Sequence, residues 1–539
     1  MQDGRALHLR RFGRGPALIM LHESPRSSMV LLPLARLLAQ DFTVFAVDTP
    51  GYGASDPLTQ AAPEMGDFAE AILRGFRAIG VPRAFVYGTH TGATIAAAMA
   101  QRVPDFVAGM VMDGYPAFTA QEKESHLNFY LPDFAPQWDG SHVMRLWWRV
   151  RDQYAFFPWY LPGHAARLTR DPPDPARHNA VVQDILAAGP AYATAYAASF
   201  RFEAVAALAG LRMPACVMAH SDDLLFDHLD RLGATPGVTI RRAAPALAAR
   251  AAAVREAFAA MDVTLPEAPA PQDRVATTLD GALGFAGNML LRGYGGEADT
   301  DIPLLLLHDS PGGAWEWEAV ARRAASRRRV LVPELPGHGL SPALPTEDEP
   351  ALAQVAALVG LLDALGIARL DLGGRGNGAA LAWRLAEALP GRVGRLLLVD
   401  PPRPSSRAVS ELHPFREPSW DGMHLLGAWA EARDRLLYRP WCDRRAETAR
   451  RLGPWIDVAR LHRRFTAQVL SGNDHLALAQ ALAGARLPMD FAATRAAVLL
   501  PAEDPDVAAL VPLLRSSGLS VDSASGAACD DQAVAWLAL

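Results

Sequence analysis

Cysteine is nearly missing from this chain, and lysine is rarer still. The three cysteines, Cys216, Cys442 and Cys529, stand far apart in 539 residues. Their spacing excludes a CxxC pair and a disulfide ladder, and it points to a reducing cytoplasm. Lys123 is the one lysine among 52 basic residues. The densest run of arginine, Arg322-Arg323 with Arg327-Arg328-Arg329, reads as a solvated helix end rather than a binding patch. With a formal net charge of −6, the chain has no electrostatic reason to seek nucleic acid or an acidic membrane. No apolar run is long enough to cross a bilayer, and the opening MQDGRALHLRRFGRG lacks the apolar core of a signal peptide. Metal-ligand spacings, a Walker loop and a dinucleotide fingerprint are missing too, so neither a metal nor an organic cofactor is expected.

What is present is a chain that contains itself twice. ALIMLHESP at 17–25 returns as PLLLLHDSP at 303–311, and VDTPGYGAS at 47–55 returns as PELPGHGLS at 333–341. YGTHTGA at 87–93 aligns with GGRGNGA at 373–379 at the same offset, that from His22 to His308. A longer pair, WDGSHVMRLWWRVRDQYAFFPW at 138–159 and WDGMHLLGAWAEARDRLLYRPW at 420–441, repeats Trp, Asp, Gly, His, Arg-Asp and Pro-Trp in order. Chance does not produce four such pairs; the chain is a tandem duplication. TLPEAPAPQDR at 264–274 is rich in Pro and Ala and reads as a linker, dividing the chain into 1–264 and 275–539 around 265–274.

Half of the residues are apolar, enough for a large core in each half. ALIML, TVFAV, AFVYG, VAGMVMDG and PACVMAH are short apolar runs of the kind buried on both faces of a parallel sheet. Helical patterns alternate with them, which predicts an α/β domain with helices on both sides. A Trp-rich helical stretch at about 116–212 interrupts the alternation and reads as an inserted cap. The second half repeats the pattern, with its cap near 401–488.

These motifs together resemble the α/β-hydrolase fold family. A strand ending in His22 resembles the family's oxyanion-loop strand. DTPGYGAS resembles its D-x-P-G-x-G-x-S loop. GTHTG stands where its nucleophile elbow belongs, and HSDDLL at 220–225 stands where an acid follows a late strand. The resemblance covers both halves and implies two tandem capped α/β domains. It implies a pocket beside the elbow, with His22, Glu23 and Thr91 in the substrate-binding or oxyanion region. It also implies an elbow nucleophile, an acid after a later strand, and a histidine near the end of each domain.

That set of three is incomplete in both halves. The first has His90 at the elbow and Asp223 in the acid register, with Asp113 ending an earlier strand as a second choice. Its last segment, IRRAAPALAARAAAV, holds no histidine. The second half has Gly376 at the elbow and Asp504 as the matching acid, and its tail also lacks histidine. A Ser-His-Asp triad is excluded in each. Two readings of His90 remain open. One is decay, since any residue that tolerates the turn would serve once catalysis is gone. The other is a neutral imidazole that acts as a base on water. The dipole at a helix start opposes the cation by roughly 0.3–2 kcal/mol. A carboxylate partner favours it by about 1–3 pKa units, roughly 1.4–4 kcal/mol, and wins.

The repeated cap motif has a similar choice. Trp138 and His142 could reach a substrate, but Trp420 and His424 persist where the elbow residue is glycine, which favours a scaffold. The expectation is a hydrolase-superfamily protein using a His90–Asp223 base on a small apolar ester or carbonyl compound. The alternatives are a ligand-binding or scaffolding pseudoenzyme, and a cofactor-free lyase or isomerase working by proton abstraction. A duplicated chain commonly replaces a homodimer, so the halves are expected to pack as an internal pseudo-dimer.

Overall fold

The structure, a computed structural model, describes residues 5–271, 282–286, 289–295, 302–345, 349–403, 407–450, 456–482, 495–501, 511, 515, 520–524 and 526–538. Two compact units emerge, one of Met1–Ala135 with Arg145–Asp273, the other of Pro136–Met144 with Arg274–Leu539.

The first unit is built on a seven-stranded sheet. Its strands are β1 (Leu9–Phe12), β2 (Ala17–Leu21), β3 (Thr43–Val47), β4 (Ala84–Thr89), β5 (Val107–Asp113), β6 (Ala215–His220) and β7 (Val238–Ala243), in the order β1-β3-β2-β4-β5-β6-β7. Only β1 runs antiparallel to its neighbour. The apolar runs explain the centre of the sheet: every residue of β2, β3, β4 and β5 is buried. Each large aliphatic or aromatic side chain so placed contributes roughly 1.5–3 kcal/mol. One face packs on the helix Leu247–Ala259 through Val254 and Phe258. Between β5 and β6 the chain leaves the sheet and forms the helices Ala120–Phe129, Ser141–Ala155, Pro175–Ala188, Tyr192–Arg201 and Ala204–Ala209.

The second unit repeats this plan. Its strands are β8 (Ala282–Ala286), β9 (Met289–Tyr294), β10 (Leu304–Leu307), β11 (Val330–Pro333), β12 (Leu370–Arg375), β13 (Val393–Val399), β14 (Arg495–Pro501) and β15 (Ser520–Ala524). The order β15-β14-β13-β12-β10-β11-β9-β8 reproduces the first sheet, with one hairpin strand, β8, added at the edge. The duplication read from the sequence is therefore a duplication of topology. The linker expected at 265–274 ends outside the described residues, which resume at 282. No helix of the described residues is long and apolar enough to cross a membrane.

The D-x-P-G loop shows how sequence fixes local structure. The Asp48 carboxylate accepts the amides of Ser28 (2.7 Å) and Ala54 (3.0 Å) and pairs with His8. A Cβ on Gly53 would lie 2.1 Å from that carboxylate. Glu334 holds the same place in the second unit, accepting the amide of Ala314.

Candidate functional site

Each elbow is shaped by two glycines. A Cβ on Gly88 would come within 2.3 Å of the Gly92 carbonyl, and one on Gly92 within 2.2 Å of the Leu21 carbonyl. Gly374 and Gly378 are held the same way, at 2.1 Å from the Gly378 carbonyl and 2.2 Å from that of His308. These contacts press strand, turn and helix together, so the residue between must enter the left-handed region. His90 does so at φ 49° and Gly376 at φ 55°. For a histidine this is a strained position, of the kind that recurs at functional sites.

His90 follows β4 and opens the helix Thr91–Arg102. Its ring crosses to the carboxylate that follows β6: Nε2 lies 3.0 and 2.9 Å from the two oxygens of Asp223. The ring passes so close to Gly114 that a Cβ there would lie 2.3 Å from Cδ2. Asp223 is oriented by the Leu225 amide at 2.7 Å. The imidazole that a late loop supplies in the family pattern is thus delivered from the elbow itself. Nε2 is committed to Asp223 through both carboxylate oxygens.

The electrostatics follow. Burial disfavours the His90 cation, but the charge and hydrogen bond of Asp223, with smaller contributions from Glu23 and Asp113, outweigh it and raise the pKa to about 9. Burial would likewise raise Asp223, yet His90, the Leu225 amide and His220 hold it well below the ordinary carboxylate range. At neutral pH the resting pair is imidazolium and carboxylate.

Asp113 is otherwise engaged. It accepts the hydroxyl of Tyr87 at 2.8 Å and a guanidinium N–H of Arg250 at 2.9 Å, so it anchors the last helix of the domain to the sheet. Asp113, His220 and Asp223 bring one donor atom each within 4.8 Å of one another. Arg250 on Asp113 and His90 on Asp223 already balance those carboxylates, so the cluster does not need a cation for neutrality.

The other sequence candidates divide. Thr91 lines a cavity of about 60 Å³ beside His90, together with Phe118, His126, Tyr130, Phe157, Tyr196 and Phe200. His22 is a structural clamp: its ring bonds the Glu23 carbonyl at 2.9 Å and accepts the Thr49 amide at 3.0 Å. His308 repeats this clamp with Asp309 and Leu335. Glu23 acts on the site through its charge. Trp138 and His142 fall in the segment Pro136–Met144 of the second compact unit, and neither lines the His90 cavity. Part of the aromatic wall has a sequence signal: Tyr196 and Phe200 recur at the spacing of one helix face.

At the second elbow Asp309, the counterpart of Glu23, has moved in. Its Oδ1 accepts the amides of Asn377 and Ser310, both at 2.8 Å, and Oδ2 takes Arg464 at 2.9 Å. Asp504, the expected acid of this half, lies outside the described residues.

A comparison with known families agrees with this architecture. The family model described as alpha/beta hydrolase fold matches residues 16–143 and again 302–426. The chain is 32% identical over 109 residues to the 2-hydroxy-6-oxo-6-phenylhexa-2,4-dienoate hydrolase of Burkholderia cepacia, covering 20% of this chain and 38% of that protein. It is 38% identical over 112 residues to the 2-hydroxymuconate semialdehyde hydrolase of Pseudomonas sp. (strain CF600), covering 19% and 38%. The match therefore spans well under half the length of these curated relatives. Among solved structures, a hydrolase from Pseudomonas aeruginosa aligns at 19% identity and a TM-score of 0.37, covering 48% of this chain and 96% of that one.

Proposed function

We propose that this chain, which belongs to the α/β-hydrolase fold family in both of its halves, is an enzyme whose first half hydrolyses small, short-acyl esters or related carbonyl compounds through His90 and Asp223. The observation that carries the reading is the bond from His90 Nε2 to Asp223 beside an aromatic cavity.

In this reading His90 Nδ1, in the neutral imidazole, takes a proton from water as the water attacks the substrate carbonyl. Asp223 stabilises the imidazolium that forms, in the way a triad aspartate does. The Thr91 amide, at the start of the elbow helix, faces the developing oxyanion. On collapse of the tetrahedral intermediate the imidazolium returns the proton to the leaving alkoxide. The cavity sets the substrate size. A cavity of roughly 150 Å³ admits benzene, so about 60 Å³ holds an acetyl-sized group.

The resting imidazolium sets the pH dependence. With a pKa of about 9, only about 1% of the enzyme carries the neutral base at pH 7. The test is turnover of p-nitrophenyl acetate by the full chain and by His90→Ala. Loss of turnover in the variant supports the assignment; turnover that survives it removes His90 from the mechanism.

A further inference from the structure

Arg149 is a buried cation without a counterion. It stands on the helix Ser141–Ala155 and is 3% exposed. One guanidinium nitrogen, Nη1, donates to the side-chain oxygen of Gln153. Nε and Nη2 are buried without a hydrogen-bond partner, and among the described residues no carboxylate pairs with the group. Its neighbours are aromatic instead: the guanidinium carbon lies 5.4 Å from the ring centre of Tyr130 and 5.5 Å from that of Trp159. An arginine keeps its charge, and burying that charge unpaired carries a large penalty that two ring faces offset only in part.

The duplication supplies a comparison. In the repeated motif Arg149 aligns with Glu431, Gln153 with Arg435 and Trp159 with Trp441, and at the same offset Tyr130 aligns with Leu412. The fold keeps these equivalences: Trp159 Nε1 donates to the Tyr130 carbonyl at 3.2 Å, and Trp441 Nε1 donates to the Leu412 carbonyl at 3.0 Å. In the second half the buried charge is answered from within, because Glu431 takes Arg416 at 2.6 Å and Arg435 at 2.7 Å. In the first half the charge has changed sign, and the answering residue is a neutral glutamine.

The same comparison relates Arg149 to the pocket. Leu412, Arg435 and Trp441 all line the cavity of about 230 Å³ beside the Gly376 elbow. Tyr130, in the place of Leu412, lines the His90 cavity of about 60 Å³. One ring thus borders both the His90 cavity and Arg149, where the second half has a smaller side chain and a larger space. From this we infer that Arg149 is a carboxylate receptor: the first half takes an ester or carbonyl compound that bears a carboxylate away from its reacting carbonyl, and Tyr130 is the side chain that yields to it. The position of the reacting carbonyl rests on the reading of His90 as a base; the anion site does not.

The open atoms select the ligand. Nε–H and the adjacent Nη2–H form the side-on edge of a guanidinium, which takes the two oxygens of a carboxylate in parallel bonds. Nη1, at the far edge, is the nitrogen that Gln153 already holds. An arriving carboxylate satisfies both open donors and neutralises the charge, whereas a neutral ester group brings no charge. The aromatic surround keeps water out and strengthens the pair that forms.

Isothermal titration calorimetry of the full chain tests this with monomethyl glutarate and monomethyl adipate, each against its dimethyl ester. At least one monoester should bind about tenfold or more tighter than its diester. The preference should persist in His90→Ala, which separates Arg149 from the His90 cation. Arg149→Met should remove it and still fold, since an apolar chain of similar length replaces an unpaired charge. Should that variant fail to fold by circular dichroism, Tyr130→Leu, which gives the first half the residue of the second, should tighten monoester binding about threefold or more. Equal binding of monoester and diester, a preference lost in His90→Ala, a preference kept in Arg149→Met, or, where Arg149→Met does not fold, no tightening in Tyr130→Leu overturns the inference. A monoester preference in a chain that leaves p-nitrophenyl acetate intact keeps the receptor and removes the hydrolase. Turnover of p-nitrophenyl acetate without a monoester preference keeps the hydrolase and removes the receptor.

Discussion

The Asp309 carboxylate fills the space into which a side chain on Gly376 would project: a Cβ there would lie 2.2 Å from Oδ1 and 2.3 Å from Cγ. Glycine at this elbow is therefore held by a neighbour as well as by its backbone, and restoring a nucleophile takes more than one substitution. Gly376→Ser should destabilise the second half by about 2 kcal/mol or more, through positive φ and the clash together. It should not be labelled by a serine-directed fluorophosphonate. The double variant Asp309→Gly/Gly376→Ser should recover part of the lost stability in urea unfolding.

The two carboxylates near His90 should separate cleanly in their effects. Asp223→Asn removes the charge that overcomes burial, so the His90 pKa should fall from about 9 to about 6.5 or below in a ¹⁵N histidine titration. Asp113→Asn should leave that pKa within a fraction of a unit. It should instead cost about 3 kcal/mol of stability, because it weakens the hold on Arg250 and Tyr87.

Stability should follow the same pair across pH. The His90 pKa is raised, so its contribution is fully present below about pH 6.5, the unfolded value, and is lost as pH rises through about 9. The Asp223 pKa is depressed, so its contribution is present above about pH 4 and is lost as pH falls. Between those limits the pair contributes up to about 3 kcal/mol, by conversion of the His90 shift. Urea unfolding of wild type and His90→Asn should show the difference largest near pH 6 and shrinking toward pH 9.5.

Pocket size should be adjustable without touching the dyad. Tyr196 and Phe200 stack at 5.4 Å and close one wall. Tyr196→Ala should shift the preference from acetyl toward hexanoyl esters by about tenfold or more in kcat/KM, the scale on which pocket volume discriminates.

Much of this is legible in the sequence, and what is not has identifiable causes. Repeated motifs disclose the duplication, and the spacing of Gly88, His90 and Gly92 discloses the elbow, because a tight strand-to-helix turn admits few residues. The Asp223 partner follows from its register after β6. Side-chain direction is less legible: Asp309 reads as an acid beside the elbow, but only the fold shows it turned onto the Asn377 amide. Convergence is least legible. Arg403, Arg439 and Arg464 are separated by dozens of residues, yet they line one cavity together with Pro440-Trp441, the pair that closes the repeated motif. His22 stands at the end of a central strand, a place that suits a loop clamp as well as an oxyanion contact, and sequence alone does not choose between them.

The claim that His90 works as a base paired with Asp223 is tested most directly by the pH–rate profile of ester turnover. Log kcat/KM should rise with unit slope from pH 6 and level off near pH 9, where the imidazole becomes neutral. In Asp223→Asn the break should move to about pH 6.5 or below, at a lower plateau. A wild-type profile that is flat from pH 6 to 8 and falls above 9 would contradict the account, because the imidazolium would then be the active form.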